Sequence, residues 1–180
     1  MMIDFEMYFC IYCSENGLDI KLSFDMPEGY ETAYGTFDQA VDTLYINAKL
    51  IQSLSDHEQL FYLYHELRHA SQHLHPVQFS ELINISKNYV IMFNGVCCKL
   101  VNNNWKKCKL EGSTEHFSEI YLGQPYEIDA NKFAYEQVKG LLGDLRELRE
   151  LYLFWLPKQP VDDAVYMDLY HMIDRSLHML

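Results

Sequence analysis

No apolar run in this 180-residue chain approaches the ~18–20 residues that a membrane-spanning helix needs. The opening MMIDFEMYFCIYCSEN carries acidic residues where an export signal has a basic region, and no small-residue cleavage site follows. Cations are scarce: 14 Lys and Arg stand against 26 Asp and Glu, a formal charge of −12. A field of that sign repels phosphate backbones and argues against direct nucleic-acid binding. No internal repeat or low-complexity tract is present. The five cysteines are odd in number and cannot all pair within the chain. Without an export signal they are expected as reduced thiols. A soluble, cytoplasmic protein is expected, with no membrane partner, and the sequence leaves its oligomeric state open.

What is present is an ordinary globular balance, 49% apolar and 22% charged. The length suits one domain over residues 1–180. Residues 4–16 have helical spacing and stop at Asn16-Gly17. Residues 19–24, 33–37 and 43–47 alternate and read as strands. Helical signals resume at Ser55, where Ser55 and Glu58 fit a capping box. Leu60, Leu63, Leu67, Ala70 and Leu74 then form a core stripe that should end at His75-Pro76. Residues 77–123 read as an insertion, with 79–93 as a helix. Asn102-Asn103-Asn104 breaks the pattern there, beside a basic loop of Lys99, Lys106, Lys107 and Lys109. A further helix is expected from Pro125 to about Val138 with Gly140 as its cap, then a helical pair over 144–178. Strands gathered early, followed only by helices, predict an α+β fold with one small antiparallel or mixed sheet of about three strands.

Chemistry enters at His65-Glu66-Leu67-Arg68-His69, an H-E-x-x-H inside the best-defined helix. Residues four apart share a face, so His65 and His69 can converge on one metal ion while Glu66 reaches a water beside it. The leucine stripe lies nearly opposite the two histidines. A catalytic zinc has three protein ligands and one open position, so a third ligand is needed. His75 lies at the spacing of a longer three-histidine motif, but position 72 is Gln72 where that motif needs glycine. His73 lies too far along a straight helix, and His116 is read as an exposed loop histidine. Glu127 lies at the margin of a buried face made by Tyr126, Ala130, Phe133, Ala134, Val138 and Leu141. A carboxylate there calls for a partner, whereas Asp129 points away and needs none. Asn131, four residues on, can orient a ligand histidine through its far nitrogen. Cys10-Ile11-Tyr12-Cys13 is a C-x-x-C, but Cys97, Cys98 and Cys108 offer no matching pair, so thiols rather than a second zinc site are expected.

H-E-x-x-H on one helix with a downstream E-x-x-A-N-x-F-A (Glu127 to Ala134) resembles the ImmA/IrrE family of small zinc metallopeptidases, as do the strands ending at Ile46-Asn47. The resemblance implies a zincin-like fold of the gluzincin kind. Zn2+ would be held by His65, His69 and Glu127, with Glu66 as the catalytic base. It also implies an intracellular protease acting on a polypeptide, in several family members a helix-turn-helix repressor. Arg68 stands where the family commonly has glycine. The sequence names no oxyanion donor beyond Tyr126 and His116 as candidates. The strand at 43–47 is expected to be a sheet edge to which a peptide could add. The competing reading is an inactive zincin-like binding or sensor module.

Overall fold

A computed structural model describes residues 3–102 and 104–178. The fold is α+β and divides into two compact units. One takes the residues up to 76 with 129–153, the other 77–128 with 154 onward.

In the first unit, α1 (Phe5–Asn16) starts where the Asp4 carboxylate accepts from the Met7 amide. It ends at Gly17, whose φ of +62° is the left-handed cap that glycine adopts without strain. β1 (Lys21–Ser23), β2 (Gly35–Asp38) and β3 (Thr43–Ile46) form a mixed sheet in the order β1-β3-β2. β3 is parallel to β1 and antiparallel to β2, so it is the central strand. The expectation that residues 43–47 form an edge is therefore corrected. β1 and β2 are the two edges, because β3 is paired on both sides.

Asn47 leaves the sheet and accepts from Leu50 to start α2 (Ala48–Ile51), a short helix the periodicity did not reveal. Its amide also donates to the carbonyls of Glu31 and Ala33, holding the segment that enters β2. α3 (Asp56–Leu74) follows, with Leu60, Leu63, Leu67 and Ala70 fully buried as the stripe predicts. His75 caps its end and hydrogen bonds through Nε2 to the Asn16 carbonyl. The Tyr12 and Ser71 hydroxyls, 2.9 Å apart, join α1 to α3.

The second unit corrects the reading of 77–123. Residues 79–93 are not one helix. α4 (Glu81–Ser86) ends where the Asn88 amide caps the Asn84 carbonyl. β4 (Tyr89–Ile91), β5 (Val96–Val101) and β6 (Asn104–Lys109) then form a second antiparallel sheet, absent from the sequence-based expectation. The lysines read as a loop lie on β5 and β6, with Lys99 directly opposite Lys106. Asn103, part of the expected break, lies outside the described residues. Core residues of this unit include Ile91, Cys97, Phe117, Ile120, Tyr166, Tyr170 and Ile173. They come from the sheet, from α5 (Thr114–Leu122) and from α8 (Asp163–Ser176).

α6 (Pro125–Leu142) runs through Gly140 and stops at Gly143, φ +87°, rather than at the expected cap. Leu141, expected in the packed face, is exposed near that end. α7 (Arg146–Phe154) follows. No helix of the described residues is long and apolar enough to cross a membrane.

The Glu58 carboxylate accepts from both the amide (2.9 Å) and the hydroxyl (2.5 Å) of Ser55. Partial burial opposes its ionisation, but these two donors and the neighbouring His57 outweigh it and hold the carboxyl below its ordinary range. Ser55→Ala should lower unfolding stability by about 1 kcal/mol at neutral pH. A depressed folded pKa contributes above the unfolded value of about 4.3 and is lost as pH falls through the folded one. The deficit should therefore shrink in acid, as measured by urea denaturation across pH 7 to 3.

Candidate metal centre

One face of α3 is committed to leucine, which turns His65 and His69 to the other. A single helical turn separates them, and their rings meet edge-to-face with centroids 4.5 Å apart. Their Nε2 atoms are 3.0 Å apart. Glu127, in the first turn of α6, completes the group: one ligand atom from each of the three lies within 4.8 Å of the others. Two ligand atoms on a tetrahedral ion with ~2.0–2.2 Å bonds sit about 3.3 Å apart, so the imidazole pair is already spaced for one. The three side chains are half-buried, enough to limit competing water while leaving access. This His-His-Glu group can hold a metal ion. Among the described residues no other set of His, Cys, Asp and Glu side chains clusters in this way.

Glu127 is placed by α6, and α6 is tied to α3 two residues further on. Asp129 receives both arms of the Arg68 guanidinium, Nε at 2.8 Å and Nη2 at 3.0 Å. It also accepts from Gln72 Nε2 at 2.9 Å. Gln72 in turn places Oε1 2.9 Å from Nδ1 of His69. Arg68 lies over the Phe133 ring, 4.7 Å from its centroid, and reaches the Tyr12 hydroxyl. The expectation that Asp129 needs no partner is thus overturned: the second helix supplies it with a cation and an amide. Asn131 is buried, and the far nitrogen of His69 meets Gln72. Arg68 is the clamp of this network.

Glu66 lies against the edge strand. A Cβ built on Gly35 would stand 2.8 Å from Glu66 Cγ and 3.0 Å from the Tyr45 carbonyl, so only glycine leaves room for the carboxylate arm. On either side of that contact, Tyr34 stacks on Tyr62 at 4.2 Å and Phe37 meets the His73 ring at 6.0 Å. β2 therefore runs along the metal-facing side of α3. Tyr126 is buried and its hydroxyl is engaged by the Glu127 carboxylate. Burial first, then the charge of Glu127, pushes the phenol well above its ordinary pKa and keeps it a neutral donor to that carboxylate.

The remaining candidates fall elsewhere. His75 is bonded to Asn16, and His73 packs on Phe37 outside the ligand group. His116 is exposed as expected, but it lies in the first turn of α5 rather than in a loop and rests against Phe117. All five cysteines are free thiols, and none joins a metal-capable group. Sequence reasoning missed Gln72 and Gly35. Gln72 carried a signal: a polar residue three positions after His69 and four after Arg68 lies on the side of the helix that both occupy. Gly35 carried none, because its role depends on the strand order. The chain matches no family model, no curated protein and no solved structure.

His65→Ala, His69→Ala and Glu127→Ala should each abolish stoichiometric binding of a divalent transition-metal ion, followed by equilibrium dialysis and metal analysis. In the parent protein, saturation at about 100 Kd should raise stability by ~2.7 kcal/mol, a gain that each variant loses.

Proposed function

We propose that this chain is a zinc-dependent peptidase in which His65, His69 and Glu127 hold the ion and Glu66 is the general base. The observation that carries this reading is the meeting of an open-type donor set with Glu66 at a sheet edge. Two imidazoles and one carboxylate are the donors of catalytic zinc sites, whereas structural sites close with four Cys or His. Bound here, zinc would polarise a substrate carbonyl and bring the pKa of a water toward ~7. Glu66, adjacent to His65 on the helix, takes the proton of the attacking water and delivers it to the leaving amine. The buried Tyr126 hydroxyl holds Glu127 in place.

Substrate class follows from β2. An edge strand presents main-chain donors and acceptors to an extended chain, which can add to it as a further strand. That favours a polypeptide over a sugar or nucleotide. The family resemblance makes a helix-turn-helix repressor the first polypeptide to try, and the basic DNA-binding surface of such a protein complements a chain of −12.

Glu66→Gln should keep its zinc and lose cleavage of a peptide library by ~10²–10⁴-fold, and a chelator should silence the parent enzyme. Cleavage by Glu66→Gln at the parent rate would remove Glu66 as base. Zinc binding without any chelator-sensitive cleavage would favour the inactive binding module. Gly35→Ala should retain zinc and lose turnover by up to ~10²-fold, since displacement of Glu66 by about 1 Å is enough for such a loss.

A further inference from the structure

We propose that Arg68, Asp129 and Gln72 are positioning residues that fix His69 in the tautomer protonated on Nδ1, leaving Nε2 as the ligand atom. The proposal rests on the metal-centre reading for its purpose, but its steps need no ion. Asp129 meets the Arg68 guanidinium through both oxygens, and a guanidinium keeps its protons. The carboxylate therefore only accepts. Gln72 lies 2.9 Å from it, so the end of the amide facing Asp129 must be the NH2 group. The amide oxygen is then turned to His69, 2.9 Å from Nδ1. An amide oxygen only accepts, so Nδ1 donates. In a neutral imidazole Nε2 then bears the lone pair, and it is Nε2 that stands 3.0 Å from His65.

Each bond has one allowed direction because the first member is an unambiguous donor. Gln72 is fully buried, so bulk water does not replace either of its contacts. The relay differs from a carboxylate bonded directly to a ligand histidine. It passes orientation from Asp129 to His69 but interposes a neutral group, so the relay itself sets no full negative charge against Nδ1. The amide is also the vulnerable link. A half-turn about its terminal bond exchanges donor and acceptor, and the accept-only character of Asp129 forbids it.

The isosteric Asp129→Asn removes that prohibition. In metal-free protein at pH 8, 15N spectra of the imidazoles should show His69 as Nδ1–H in the parent and a shift toward Nε2–H in Asp129→Asn. Zn2+ affinity, read by competition with a chromophoric chelator, should fall ~10–100-fold with an unchanged far-UV spectrum. Gln72→Met removes the relay itself and should release the tautomer in the same way. Adding Asp129→Asn to Gln72→Met should then cost nothing more in affinity. An unchanged His69 tautomer in either variant, or affinity losses that simply add, would overturn the proposal. Should the parent bind no zinc, the metal-centre reading fails, while the spectra of the metal-free protein still decide the tautomer.

Discussion

The Arg68–Asp129 ion pair decides where α6 meets α3, and the site depends on that meeting. Two histidines on one helix are a local matter, guaranteed by the pitch of the coil. A third ligand is not local, since Glu127 stands 58 positions after His69 in the chain. Two residues beyond it, Asp129 makes a two-armed bond with the planar fork of Arg68, whose geometry admits little rotation or sliding. Phe133 supports the guanidinium from the same helix, so α6 contributes both the anion and the aromatic surface. Neither member of the pair is far from solvent, with side-chain exposures of 25% and 22%, so the pair acts as a directional fastener more than as a large source of stability.

What was legible in the sequence was legible for local reasons. The capping box, the leucine stripe and the proline stop all lie within α3, and each is a short-range rule. H-E-x-x-H is read within one turn. Glu127 could be singled out because a helical wheel is also local, and its position beside a packed face needs no knowledge of the partner. Asp129 shows where that method ends. On the wheel it faces away from the buried side, and only the approach of Arg68, 61 residues earlier, gives it a role.

The second sheet was hidden for a different reason. β6 is exposed along nearly its whole length, and lysines on both β5 and β6 remove the apolar alternation by which a strand is recognised. Charge on an edge strand protects it from pairing with other chains, and the same charge makes it resemble a loop. The strand order of the first sheet was illegible in principle: three short alternating runs fit several orders. Until β3 is known to be central, neither β2 as an edge nor the need for glycine at position 35 can be deduced.

Arg68 stands directly before His69, and the charge it brings there has a local solution. A cation next to a ligand histidine would by itself oppose the binding of a positive ion. Here its charge is matched at contact distance by Asp129, and its long side chain is spread over Phe133 and Tyr12 rather than directed at the ligand atoms. The two opposite charges offset each other at close range, leaving the Glu127 carboxylate as the anion of the His-His-Glu group. The arginine fills the space beside α3 and uses it to anchor α6. An arginine here is therefore compatible with a metal centre only in the company of Asp129, and the two positions have to be read as one unit.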